Sequence, residues 1–148
     1  MKFELIIKII FMCFLIVFTI QDIKSREIDV WGIVCFYIFI IFVNLYGFHM
    51  GKNLNFIDII LGILSGVLLL PMSRFNILGE GDALIFIGSG AFLGIKNNIL
   101  LLFTTVFIIS FYALIIGFIC FIRGKKLKGM NVAMLPFITM ANCIIWLI

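Results

Sequence analysis

The segment LGEGDAL, residues 78–84, places two glycines and two carboxylates where a long hydrophobic stretch begins. A charged side chain within or beside an apolar membrane segment is costly, and residues of this kind are usually functional. A second aspartate, Asp22, closes an earlier hydrophobic run in a similar way. Asp22 and Asp82 are therefore the first candidates for chemistry in this chain.

The composition is that of an integral membrane protein. Of 148 residues, 65% are hydrophobic and only 12% are charged, and the mean hydropathy is +1.34. A soluble domain averages about 45–50% apolar and about 25% charged residues. The net charge of +4 comes from short basic patches between apolar runs, a pattern that reports membrane orientation. We predict a lipid bilayer as the surroundings and no nucleic-acid partner.

Six hydrophobic segments predict an all-α, polytopic membrane protein with about six transmembrane helices, forming a single domain over residues 1–148. A spanning helix needs about 20 apolar residues. The third and fourth segments are shorter, so we expect their helices to extend into residues 73–82 or to be covered there by neighbouring helices. We expect Pro136 to kink the sixth span. The segments cover residues 3–21, 30–48, 57–72, 83–95, 99–122 and 131–148.

The distribution of Lys and Arg predicts the orientation. Connections one, three and five contain seven of these residues, and the N-terminal end with connections two and four contains four. Because cytoplasmic connections carry the excess of positive charge, the odd-numbered connections are predicted to be cytoplasmic. Asp22 and Asp82 then both lie on the cytoplasmic side of a multi-pass protein in the cell membrane.

Two glycine pairs mark places where helices could pack closely. Gly62 and Gly66 form one GxxxG pattern in the third span, and Gly90 and Gly94 form another in the fourth. Small residues let helix backbones approach one another in lipid. The alternative is the ordinary abundance of glycine in membrane helices, and the pattern alone does not decide between the two.

The residue types present exclude several kinds of catalysis. His49 is the one histidine, and the chain contains no HExxH, GxSxG or GxxxxGK[ST] motif. The four cysteines are scattered singly, with no CxxC pair, so we expect no metal and no cofactor. Asp58 stands at the start of the third span, where a carboxylate favours the positive end of a helix. Carboxylate chemistry by Asp22 and Asp82 remains.

Two carboxyl groups held close together share a proton, so that one activates water while the other donates to a carbonyl oxygen. This is the chemistry of an aspartic protease, and it needs two aspartates from separate helices with access to water. Gly79 and Gly81 would let a peptide backbone approach Asp82. The alternative for the second motif is a glycine turn followed by a helix cap.

The two motifs resemble those of a known family. Residues 22–28 (DIKSREI) are similar to the first aspartate motif of the type IV prepilin peptidases, and residues 79–82 (GEGD), followed by Gly88 and Gly94, are similar to their GxGD segment. The six-span layout is similar as well. The resemblance implies a membrane aspartic endopeptidase, in a short form without the methyltransferase region.

By that resemblance, Asp22 and Asp82 would be the catalytic pair. The implied substrates are pilin-like precursors that carry a short basic leader before a hydrophobic N-terminal helix, cut after a glycine at the cytoplasmic membrane face. The chain departs from the family at residues 29–30, where Asp-Val replaces the common Pro-Asn, and at Leu84, where lysine is frequent. These departures concern substrate preference and loop geometry, since both carboxylates are retained.

Three further acidic residues stand beside the motifs: Glu27, Asp29 and Glu80. We hypothesise that at least one of them, Glu80 first, attracts the basic leader of the substrate. The alternative is that all three are solvated loop charges of little energetic consequence.

Two other functions fit parts of the pattern. A preflagellin-type or presenilin-like intramembrane aspartic protease would use the same aspartates but could cut within a membrane span. A small ion-coupled transporter would use the aspartates as ion carriers. Against transport, neither aspartate is predicted near the bilayer midplane, and no inverted repeat is obvious in the sequence.

Overall fold

A computed structural model describes residues 2–50, 55–75, 78–123 and 133–147, and this part of the chain is helical with no strand. The all-α prediction is therefore confirmed. The helices are α1 (Lys2–Ser25), α2 (Val30–His49), α3 (Phe56–Val67), α4 (Leu70–Arg74), α5 (Glu80–Ile122) and α6 (Leu135–Leu147).

The helices are those of a polytopic membrane protein, but the expected count of six spans is not confirmed. In the described residues, four helical segments are long and apolar enough to cross a membrane. The third of them continues through α4 to Ser73, and α5 begins at Glu80, so both helices extend into the intervening segment as expected. α6 is shorter, and α5 covers the predicted fourth and fifth spans together. The four segments are Glu4–Ser25, Val30–His49, Phe56–Ser73 and Glu80–Ile122.

α5 consists of two helices that fold back on each other at Gly94. The backbone there has φ 77° and ψ 172°, a conformation that is essentially restricted to glycine. In a continuous helix residues 86 and 98 would lie about 18 Å apart, yet the Asn98 amide donates to the Phe86 carbonyl over 3.3 Å. The second half then begins at Ile95, whose N–H donates to Oδ1 of Asp58 over 3.1 Å. Asp58, in the first turn of α3, thus caps a helix other than its own.

α3 packs against this hairpin through glycines. A Cβ at Gly62 would collide with the carbonyl oxygen of Gly90, and a Cβ at Gly66 would lie 2.6 Å from the Ile87 Cα. The backbones therefore touch, and of the two interpretations that the sequence left open, the structure shows close packing at both glycine patterns. Gly94 allows α5 to fold back on itself and also allows the backbone of α3 to lie close to that turn.

A buried network of polar side chains connects α3 with the two halves of α5. The Asn98 amide donates to Ser65 Oγ over 2.9 Å and its carbonyl accepts from Ser89 Oγ over 2.8 Å. Asn98 is only 2% exposed, and a polar group buried in lipid needs partners within the protein. The network therefore fixes α3 relative to both halves of α5.

Phe11 of α1 lies at the centre of the remaining core. Its ring is fully buried and packs against Phe36 of α2, Phe92 of α5 and Trp146 of α6, with the Phe92 ring stacked at 4.3 Å. Aromatic pairs of this geometry add to the stabilisation from burial. One side chain thus joins four helices.

α1 and α6 run antiparallel. The hydroxyls of Thr19 and Thr139 are hydrogen-bonded at 3.4 Å, and the Asn142 amide lies 3.1 Å from the Met12 sulfur. Residues late in α1 therefore face residues early in α6. As a result, α6 begins at the level where α1 ends.

We expect Gly62→Ala to lower the free energy of unfolding by about 1–3 kcal/mol, the usual cost of forcing extra volume into a packed core. The added methyl would meet backbone atoms of α5, which cannot rotate away. Unfolding by SDS titration in detergent micelles would measure the change. Gly117→Ala is the control, because a Cβ there has no neighbour within 4 Å. Equal stability of the two variants would contradict the close packing.

Candidate active site

Four helix ends meet at one end of the bundle: the end of α1 and the starts of α2, α5 and α6. The connection between α1 and α2 lies on the start of α5, where the Ile28 side chain fills the space beside Gly81. The Asp29 N–H donates to Oε1 of Gln21 over 3.4 Å, which ties the start of α2 to α1. Sequence segments far apart in the chain are thereby brought to one place.

Asp82 lies in the first turn of α5 and is only 8% exposed. Gly79, the N-cap residue, is extended, and its N–H interacts with the Asp82 carboxylate. A Cβ on Gly79 would lie 2.8 Å from Oδ2 of Asp82. The glycines of this motif thus leave room for two groups, the Asp82 carboxylate at Gly79 and the Ile28 side chain at Gly81.

Asp22 lies in the last turn of α1 and is half-buried. Its Oδ2 accepts a hydrogen bond from the N–H of Leu135, the first residue of α6, over 3.2 Å. Asp22 therefore caps α6 from another helix. Pro136 stands in the first turn of α6, where proline is well tolerated because the N–H it lacks would have no helical partner. The expectation that Pro136 kinks a sixth span is wrong.

The structure brings the two sequence-predicted aspartates together. Their carboxyl groups are close enough to interact electrostatically, and they come from two different helices, α1 and α5. Asp82 is the more buried of the two, and Asp22 is the more open to its surroundings. Shared-proton chemistry needs two carboxyls held near each other, and these two come from separate helices at one end of the bundle.

A sequence model of the type IV leader peptidase family matches residues 9–122. The chain belongs to this family. The match includes Asp22, Asp82 and the whole of the helical frame from α2 to α5. Searches of curated proteins and of solved structures give no match. Membership makes this chain a protease of the leader peptidase kind, and its apolar helices make it a membrane protein.

Three other acidic residues stand beside the two aspartate motifs: Glu27, Asp29 and Glu80. They lie at the same end of the bundle and are exposed. Glu80 is the first residue of α5, and Glu27 lies in the connection between α1 and α2. Asp29 is the N-cap of α2 and accepts the Trp31 N–H over 3.2 Å. The departure from the common Pro-Asn therefore supplies a helix cap.

Tyr37 contacts the segment that carries Asp82, a role that the sequence did not predict. Its hydroxyl donates to the backbone carbonyl of Leu84 over 2.9 Å, which links the second turn of α5 to α2. The contact uses the backbone of Leu84 rather than its side chain. A single tyrosine in an apolar helix gives no sequence signal for such a role.

His49 lies far from the aspartates. It ends α2, whereas Asp29 at the other end of that helix lies beside the aspartates, and 20 helical residues span about 30 Å. Within the described ranges, no three His, Cys, Asp or Glu residues are grouped so that they could hold a metal ion. Asp22 and Asp82 lie at this end together with three further carboxylates and the cations of Lys24 and Arg26.

Proposed function

We propose that this chain is a membrane aspartic endopeptidase that removes short basic leaders from type IV prepilin-like precursors, with Asp22 and Asp82 as its catalytic pair. The observation that carries the proposal is the meeting of these two carboxyls, from α1 and α5, in a chain of the leader peptidase family. The peptidase forms one transmembrane domain over residues 1–148.

The reaction needs one ionised and one protonated carboxyl. The ionised group takes a proton from a water molecule while the protonated group donates to the carbonyl oxygen of the scissile bond. The oxygen of water attacks the carbonyl carbon, and a tetrahedral intermediate forms. Proton transfer to the amide nitrogen then lets the C–N bond break, which gives the leader a new C-terminal carboxyl group and the mature protein a new N-terminal amine.

The two carboxyls have different surroundings, which supports a pair with one ionised and one protonated member. Asp82 is enclosed by the start of α5 and by the Gly79 backbone, whereas Asp22 is half-buried at the end of α1. Because the site lies at helix ends, water can reach it without crossing the bilayer. The excess of Lys and Arg in the odd-numbered connections supports a location of these ends at the cytoplasmic face of the cell membrane.

The proposal is tested by incubating the purified chain, in lipid nanodiscs, with a pilin-like precursor and sequencing the N-terminus of the product. We expect one cut between the basic leader and the hydrophobic helix. A cut inside the hydrophobic helix would instead indicate a presenilin-like protease, and an intact precursor would overturn the proposed substrate class.

Glu80→Gln is expected to lower kcat/KM for a basic-leader precursor about two- to fivefold at low salt, the range for an exposed charge pair. The difference from wild type should shrink at high salt, because ions screen exposed charges. A precursor whose leader Lys and Arg are replaced by Gln is the control, and both enzymes should cleave it equally. An unchanged rate and salt dependence would remove Glu80 from the recognition of the leader.

A further inference from the structure

A groove of about 630 Å³ opens beside Asp22, between the end of α1, the second half of α5 and the start of α6. Its volume lies within the range of pockets that bind a ligand of substantial size, about 300–1,000 Å³. Most of its walls are apolar, and its charged residues are Asp22 and Arg26. The apolar walls include Ile108, Phe111, Ile115, Phe137 and Met140.

The groove has a direction. Asp22 and Arg26 lie at the end of α1, beside the start of α6, so they form one polar end. On the α5 side the wall runs from Ile108 to Ile115, about 10 Å along a helix. An occupant that fits both parts is an apolar segment with a polar terminus at Asp22.

Arg26 occupies a conformation that an arginine seldom adopts. Its φ is 56°, in the left-handed region where helices usually end with glycine or asparagine. Its N–H donates to the carbonyl of Asp22 over 3.0 Å, so the residue forms the turn that ends α1. A glycine would form this turn without strain, whereas the chain has an exposed cation at the polar end of the groove.

Charge separates the two sides of the site. Arg26 adds a positive charge to the end of the groove that also holds Asp22, whereas the exposed acids Glu27 and Glu80 do not line the groove. Arg26 therefore repels a basic leader from the groove, and Glu27 and Glu80 attract the leader to their own positions. The apolar segment that follows the scissile bond has the chemistry of the groove.

We propose that the groove binds the apolar helical segment that follows the scissile bond of the precursor, and that Arg26 keeps the basic leader out of it. The inference rests on the proposed function and adds to it the direction in which the substrate lies. Its binding mode is that of an apolar helix face in a groove. Arg26 acts on the choice of binding direction and is a specificity-determining residue.

Filling the groove tests the first part. Met140 lines the groove and is 57% exposed, so Met140→Trp places its bulk in the groove without entering the core. We expect kcat/KM for a membrane-embedded precursor to fall about tenfold through KM, the equivalent of losing one buried apolar side chain. Ile38→Trp, at an exposed position of α2 outside the groove, is the matched control and should cleave like wild type.

The outcomes separate the two proposals. Failure of wild type to cut the precursor would overturn the proposed function. Cleavage by wild type with an unchanged KM for Met140→Trp would overturn the groove and leave the function standing. A photoreactive benzoylphenylalanine in place of Met140, in an Asp82→Asn background, should cross-link to the apolar segment of the precursor. Cross-links to lipid alone would show that lipid fills the groove and would also overturn the proposal.

Charge exchange tests Arg26. Arg26→Asn tolerates the positive φ and removes the charge, and Arg26→Glu reverses it. With precursors that carry either a basic or an acidic leader, we expect the preference for the basic leader to fall about two- to fivefold at each step. The same preference in wild type and both variants would overturn the role of Arg26, and the Met140→Trp result would still judge the groove.

Discussion

Asp82→Asn is expected to lower the rate of leader cleavage roughly 10⁴-fold, as for other groups that hold or move a proton in the reaction. Asparagine has the same shape as aspartate but cannot take a proton from water or share one with Asp22. Its side-chain oxygen can still accept from the Gly79 N–H, so the first turn of α5 should form normally. Mass spectrometry of the mature product under single-turnover conditions would measure the rate.

The same loss is expected for Asp22→Asn, and here the structure supplies a competing explanation. Asp22 caps α6 through the Leu135 N–H, so a change at this position can act through folding. Asparagine keeps an oxygen that accepts this hydrogen bond, whereas Asp22→Ala removes it. We expect both variants to lose cleavage and only Asp22→Ala to lose stability, by about 0.5–2 kcal/mol.

Asp29→Asn is the control for a capping aspartate outside the proposed pair. The asparagine side chain would still accept the Trp31 N–H that Asp29 accepts, so stability should stay near wild type. Cleavage should fall at most about two- to fivefold, the range for an exposed charge, which is far less than the loss expected for Asp22→Asn. If Asp22→Asn also cleaves like wild type, Asp22 is a helix cap only, and the proposed pair of catalytic aspartates is wrong.

Hydropathy and residue type predicted the parts of this structure that depend on local sequence. An apolar run must form a helix in lipid because its backbone groups have no other partners there, so the helical class and the ends near Asp22 and Asp82 follow. The glycine patterns at Gly62 and Gly90 marked places where backbones could touch, and only the structure shows that they do. Charge distribution predicted that the two aspartates share an end of the bundle, and they do.

The parts that could not be predicted depend on contacts between distant segments. The hydrogen bond from Leu135 to Asp22 joins residues 113 positions apart, and no local pattern encodes it. From its position in the sequence, Asp58 is an ordinary residue at the start of a helix. In the structure its carboxylate caps a different helix, the second half of α5. Asn98 lies in an apolar run, and its role follows only once α5 folds back on itself.

Among the glycines whose surroundings the structure describes, Gly94→Ala is expected to be the most destabilising substitution, with a loss of about 3 kcal/mol or more. A left-handed, extended conformation costs a non-glycine residue about 1–3 kcal/mol by itself. In addition, the new methyl would collide with the carboxylate of Asp58, which must stay in place to cap Ile95. Strain and overlap therefore add at one residue.

The fold-back at Gly94 also decides how that loss reaches the active site. A straight α5 would separate Asn98 from Phe86 and Ser89, so the network that orients α3 and α5 would be lost with the turn. Unfolding by SDS titration should show the loss of stability, and leader cleavage should fall in the same preparation. Gly117→Ala, on the same helix with open space around it, should change neither. If Gly94→Ala matches Gly117→Ala in stability, α5 does not depend on a turn that only glycine can make.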